Sequence, residues 1–178
     1  MKTLLIGATS AVCQALALEL ARRGHSLFLI GRDVNKLQAL ADTLGSAVVG
    51  TKGADLTEYQ DAQGLIKGAI TALGGLDQAF IAHGLLGDQV KSEGNWEEAA
   101  EILGVNLLSP VALLMPIANY MESQGAGHIT VCSSVAGERG RPRNYTYGAA
   151  KSALTTYCQG IRTRLYQKGH LLTYLKAC

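Results

Sequence analysis

Tyr147 and Lys151 stand four residues apart in the stretch SSVAGERGRPRNYTYGAAK, residues 133–151. On a helix that spacing puts both side chains on one face. An ammonium beside a phenol favours the phenolate and lowers its pKa. An unaided tyrosine titrates near pH 10, too high for efficient proton exchange at neutral pH, so tuning downward is useful. Ser134 ends the apolar run HITVCS, which reads as a strand, and its hydroxyl is placed to meet the phenol at the strand's C-terminal edge. A Tyr–Lys pair at this spacing is also a common surface arrangement on helices. The strand, the hydroxyl pair Ser133 and Ser134, the loop rich in Gly, Arg and Pro, and the helix that follows favour proton-transfer chemistry.

A second constellation lies at the N-terminus. The apolar strand from Lys2 to Gly7 runs into GATSAVC and then into QALALELARRG, which has helical periodicity and ends at Gly24. A strand, a small-residue turn and an opening helix make a phosphate cradle, with free N–H groups and the positive end of the helix dipole. Its candidates are Gly7, Thr9, Ser10, Ala11 and Val12. A plain strand–helix turn is the competing reading, because Ala11 and Cys13 stand where further glycines are expected. The second strand, SLFLI, is followed by Gly31, Arg32 and Asp33. An acid at position 31 would favour NAD. Glycine there, with Arg32 beside it, favours NADP. Arg32 also reads as an ordinary exposed cation, and Asp33 as the cap of the helix VNKLQALADTLG.

The elements that must hold these residues alternate. A third strand begins at 47–49 and leads to Ala54, Asp55 and Leu56. Asp55 is a candidate for the adenine amine, and Asp55 or Thr57 for the cap of a helix over residues 58–73. The fourth strand ends in Ala82, His83 and Gly84, small enough for the backbone to lie against a cofactor. His83 reads either as a contact to cofactor or substrate or as a structural residue, and the structural role is favoured. Residues 85–94 read as a loop, and 96–108 as a helix. That helix carries Asn106, an amide in an apolar run that implies a specific hydrogen-bonding duty. A further helix starts at Ser109, a plausible cap, with Pro110 in its first turn, Pro116 a source of bending and Gly125 beyond its end. Residues 127–133 form the fifth strand. The helix of Tyr147 follows, and LLTYLKAC reads as a sixth strand. Strands alternating with helices imply one α/β domain over 1–178, with a parallel sheet covered on both faces.

The 178 residues are 48% hydrophobic and 17% charged, with a net charge of +2. That balance suits a well-buried core and carries no basic stripe for nucleic acid. The apolar runs read as interrupted before they span a bilayer, and no signal peptide is evident. Cys13, Cys132, Cys158 and Cys178 lack metal-ligand spacing and read as free thiols in a reducing, cytoplasmic setting. No metal site is expected.

Together these residues resemble the short-chain dehydrogenase/reductase family. Asn106, Ser134, Tyr147 and Lys151 are the anchors, 28 residues from Asn to Ser and 13 from Ser to Tyr. The resemblance implies a doubly wound Rossmann-type fold and NADP(H)-dependent hydride transfer with a small carbonyl or secondary alcohol. It implies that Tyr147 is the general acid/base, that Ser134 positions the substrate oxygen, and that Lys151 lowers the Tyr pKa and holds the nicotinamide ribose. Asn106 matches the residue that supports a water-linked proton relay behind Lys151. Family members also form homodimers or homotetramers. Three departures stand out: Ala11 and Cys13 replace glycines, Ala82-His83-Gly84 replaces Asn-Ala-Gly, and LLTYLKAC ends the chain before the family's substrate-covering loop and seventh strand. The last part of the sheet and the substrate lobe are therefore expected to be missing. A dinucleotide-binding protein without turnover is the alternative to an enzyme.

Overall fold

The computed structural model describes residues 1–166 and the backbone of residues 171–177. Six parallel strands form one sheet: β1 (Lys2–Ile6), β2 (Ser26–Gly31), β3 (Val48–Gly53), β4 (Gln78–Ile81), β5 (His128–Ser134) and β6 (Leu171–Ala177). The helices between them are α1 (Ala11–Arg22), α2 (Val34–Leu44), α3 (Ala62–Leu73), α4 (Gln89–Ser92), α5 (Trp96–Leu103), α6 (Ser109–Gln124) and α7 (Tyr145–Tyr166). The strand order is β3-β2-β1-β4-β5-β6. The chain thus winds outward from β1 in one direction and from β4 in the other. The crevice beyond the C-terminal ends of β1 and β4 is the switch point where such sheets take ligands.

Alternation along the strands builds two cores. Leu4, Ile6, Phe28 and Ile30 face α3, α6 and α7, and pack with Ile66, Leu113, Ile117 and Leu154. Leu5, Leu27 and Leu29 face the other way, against Cys13, Ala17 and Leu20 of α1 and Leu37 and Leu40 of α2. Both faces are covered, so these strands read as continuous apolar runs. Asp33 caps α2, its carboxylate accepting the Lys36 N–H at 3.0 Å. Gly24 and Gly125 adopt φ +76° and +81° just past α1 and α6, the left-handed exit that glycine permits.

Several local expectations are corrected. The helix expected over 58–73 begins at Ala62, after a 3-10 turn at Tyr59–Asp61. Neither Asp55 nor Thr57 caps it, because the Asp55 carboxylate is turned onto Thr57 itself. The loop expected over 85–94 contains α4. The helix expected over 96–108 is regular only to Leu103, then widens into a π-helical turn at Gly104–Leu108. Ser109 caps nothing, because α6 continues directly out of that turn and runs through Pro116. The resulting run, Trp96–Gln124, is 29 residues long and apolar enough to span a membrane by length and composition, contrary to expectation. Its Ile102, Leu113, Leu114, Ile117, Ala118 and Met121 are buried inside the fold, which is the pattern of a core helix. Cys178 lies outside the described residues.

Candidate active site

The turn after β1 is fixed by close approach. Gly7 has φ +79°, and a Cβ there would lie 2.6 Å from the backbone nitrogen of His83. Only glycine allows both that conformation and that contact. The Gly7 and Ala8 N–H groups both bond the Ile30 carbonyl at 2.9 Å, which ties the turn to β2. Ser10 caps α1, accepting the Cys13 N–H at 3.3 Å. Among the described residues the Ala11 and Val12 N–H groups have no partner, so they remain at the opening of α1 with the positive end of its dipole. Cys13, in a glycine position of the family pattern, is fully buried in the core between α1 and the sheet. Burial pushes its thiol up to about 12.

A cleft of about 380 Å³ opens beyond this turn. Its wall contains Gly7, Thr9, Ser10, Arg32, Asp55, Leu56, Ala82, His83 and Gly84 of the expected set. Ala11, Val12, Tyr147 and Lys151 lie outside that wall. The structure adds Lys36 and Glu101 among the lining side chains, which the sequence reading missed. Lys36 lies in the first turn of α2, capped by Asp33, and the capping position of Asp33 was the available signal. Asp55 accepts from the Thr57 N–H at 2.9 Å and its hydroxyl at 2.8 Å. These bonds, with Arg32 nearby, hold its carboxyl below the usual range.

The structure shows the structural role of His83: the residue borders the cleft, and its Nε2 meets the Ser109 hydroxyl at 3.0 Å, linking the segment after β4 to α6. Burial, helped by the Lys151 charge, drops its pKa to about 3, so the ring is neutral. Among the described residues the buried Nδ1 has no partner.

Asn106 sits in the π-helical turn, fully buried. Its Nδ2 donates to the Leu85 carbonyl at 2.6 Å and to the Ile102 carbonyl at 2.8 Å, and its Oδ1 accepts the Leu85 N–H at 3.1 Å. The amide duty inferred from the apolar run is therefore a clamp on the backbone just beyond Gly84. A Cβ on Gly84 would lie 3.0 Å from Asn106 Oδ1 and 3.6 Å from Lys151 Nζ, so the three residues converge.

Lys151 is 3% exposed. Its ammonium donates to the Cys132 carbonyl at 3.1 Å and lies 5.8 Å from the centre of the Tyr147 ring. Burial lowers its pKa. The i,i+4 geometry expected of this pair is present on α7. Ser134 ends β5 as expected, and its Oγ accepts the Ala136 N–H at 3.1 Å, which leaves the hydroxyl hydrogen free to donate. The Ser134 and Tyr147 hydroxyls do not bond each other. Ser133 is structural: it pairs with the Thr155 hydroxyl at 2.6 Å and donates to the Lys151 carbonyl at 3.2 Å. Gly148 brings α7 down onto the segment after β5, since a Cβ there would meet the Ala136 carbonyl oxygen at 2.6 Å.

Comparison with known proteins supplies the lineage. Residues 2–173 match the short chain dehydrogenase family. The chain belongs to that family. An uncharacterized oxidoreductase of Mycobacterium tuberculosis is 33% identical over 85% of this chain and 63% of its own length. One from Myxococcus xanthus is 32% identical over 96% of this chain and 68% of its own. The chain thus spans under two thirds of the Mycobacterium protein. Levodione reductase superposes with a TM-score of 0.91 at 23% identity, covering 98% of this chain and 70% of that one. A metagenomic short-chain oxidoreductase in complex with NADP gives 0.90 at 24%, covering 100% and 82%. NAD+-bound xylitol dehydrogenase gives 0.89 at 21%, covering 98% and 68%. These likenesses establish the doubly wound fold.

Proposed function

We propose that this chain carries the cofactor and proton-transfer machinery of an NADP(H)-dependent oxidoreductase acting on a small carbonyl or secondary alcohol. The observation that carries the proposal is the buried Lys151 ammonium beside the Tyr147 ring, converging with Asn106 on Gly84 at the cleft's edge. The cleft residues fit a dinucleotide: the Gly7 turn leaves room for a pyrophosphate against backbone, and the open amides of α1 suit its charge. Arg32 and the absence of an acid at position 31 support NADP over NAD. Asp55 and Leu56 would border the adenine, and Ala82, His83 and Gly84 the adjoining ribose.

The bound nicotinamide supplies or accepts the hydride. Tyr147 holds a proton at its phenol oxygen and passes it to the substrate oxygen as negative charge grows there. Ser134 donates its free hydrogen to the same oxygen, where it counts most in the transition state. Lys151 has three N–H donors and spends one on Cys132, leaving two for the ribose and the relay near Asn106. Exposed Leu108 and Met115 on the π-turn and α6 support a homodimer or homotetramer. The free thiols of Cys13, Cys132 and Cys158 support a reducing, cytoplasmic compartment.

NADPH titration by fluorescence and thermal shift, with NADH as control, tests the site. Saturable stabilisation by NADPH over NADH is expected, and Arg32→Asp should reverse that preference. Tyr147→Phe should abolish NADPH oxidation while retaining NADPH binding. Undiminished turnover in that variant overturns the role given to Tyr147.

A further inference from the structure

Residues 85–95 cross from the end of β4 to α5 as a strap held down at both ends. Asn106 grips the Leu85 backbone at one end. At the other, Asn95 accepts the Glu98 N–H at 2.9 Å, and the Glu98 carboxylate reaches back to accept the Asp88 N–H at 3.0 Å and to pair with Lys91 at 2.6 Å. The middle of the strap, α4, is fastened to the helix of Tyr147. Gln89 Oε1 accepts the backbone N–H of Thr146 at 2.9 Å, and the Ser92 and Thr146 hydroxyls meet at 3.1 Å.

Thr146 lies in the first turn of α7, whose leading N–H groups have no acceptor within the helix. Gln89 therefore supplies a capping acceptor from 57 residues away in sequence. Tyr147 is the next residue. Gln89 is 8% exposed, and among the described residues its buried Nε2 has no partner. The amide cannot be turned over to relieve this, because two N–H groups would then face each other. The fold keeps an unpaired donor in order to place an acceptor at Thr146.

We propose that Gln89 is a positioning residue for Tyr147, holding the first turn of α7 so that the phenol keeps its place beside Ser134 and Lys151. The proposal rests on the reading of Tyr147 as the general acid/base. Helix ends fray, and Tyr147 is the third residue of its helix. A displacement of the reacting group by about 1 Å costs on the order of 100-fold in rate.

The test compares Gln89→Met, which keeps the bulk and removes the acceptor, with Gln89→Glu, which keeps the acceptor. Both are made in the full chain and read with NADPH present. Amide hydrogen exchange at Thr146 should quicken about tenfold or more in Gln89→Met and stay near wild type in Gln89→Glu. The 13Cζ resonance of Tyr147 at neutral pH should shift in Gln89→Met only. With NADPH and 4-nitrobenzaldehyde as the carbonyl probe, kcat should fall about 10- to 100-fold in Gln89→Met. KM for NADPH should hold, and Gln89→Glu should restore the rate. A merely structural Gln89 would lower the folded fraction and leave that resonance in place. An unmoved resonance, or unchanged exchange at Thr146, overturns the proposal. If Tyr147→Phe retains turnover, the functional reading fails instead, while exchange and the resonance still decide the part played by Gln89.

Discussion

Asn106→Leu offers a direct measure of what the π-helical turn does. Leucine has similar bulk, so the substitution removes hydrogen bonds without opening a large cavity. Asn106 satisfies both the N–H and the C=O of Leu85, at 3.1 and 2.6 Å, and is itself 0% exposed. Each backbone group left unpaired away from water costs about 1–3 kcal/mol, and the two together about 3 kcal/mol where solvent reaches one of them. In a chain of this size each kcal/mol shifts Tm by about 2–4 °C, so a fall of about 6–12 °C is expected. The assay is reversible thermal unfolding followed by circular dichroism, with amide hydrogen exchange at Leu85 as the local probe. Exchange at Leu85 should accelerate far more than at Ile6 in the sheet. A Tm within about 2 °C of wild type, with Leu85 exchange unchanged, would refute the clamp.

Three further outcomes follow from the same geometry. Gly7→Ala forces a side chain into φ +79° and against His83. It should weaken NADPH binding by more than about tenfold by fluorescence titration, with a penalty of about 1–2 kcal/mol from the left-handed backbone alone; undiminished affinity would remove the cradle from the argument. His83 is neutral in the fold with a pKa near 3, against 6.5 when unfolded, so the unfolded chain binds the extra proton between those values. Stability should rise with pH across that window, by up to about 1.4 kcal/mol per unit, and level off above it; urea unfolding at several pH values should lose this slope in His83→Asn. Burial depresses the pKa of Lys151, so its charge costs stability at neutral pH, a cost relieved as pH climbs through the folded pKa. Lys151→Met should therefore abolish turnover without lowering Tm in calorimetry, whereas a drop of more than about 5 °C would show that the bond to Cys132 outweighs burial.

Residues acting through local geometry were legible in the sequence. The Tyr147–Lys151 pair needed only a helix, and Asp33 needed only to precede one. The left-handed exits at Gly24 and Gly125 followed from glycine itself. Asn106 announced a hydrogen-bonding duty because an amide in the run ILGVNLLS is otherwise costly. What the run did not reveal was the π-helical turn, which depends on the fit between Asn106 and a backbone 21 residues away. The helix α4 was missed for the same reason. Four residues do not hold a helix alone, and Gln89 and Ser92 draw support from Thr146, far along the chain. Asp55, one of two candidate caps, does not cap α3 because Thr57, two residues on, holds its carboxylate instead. Of the two hydroxyls at the end of β5, only strand alternation separates Ser133, turned onto α7, from Ser134.

The widened turn at Gly104–Leu108 also acts as a phase junction. One residue more or less rotates everything downstream by about 100° around a helix axis. Upstream, Ile102 is aimed at the interior; downstream, Leu113, Leu114, Ile117 and Met121 must face the sheet. A regular helix of the same length would hold one half in register and turn the other away. Single-residue insertions or deletions in this helix should therefore survive only inside the turn itself, where the winding is already irregular. Drift in length within the pairwise-packed body of α6 is closed off, and variation is channelled into the few residues that also carry Asn106.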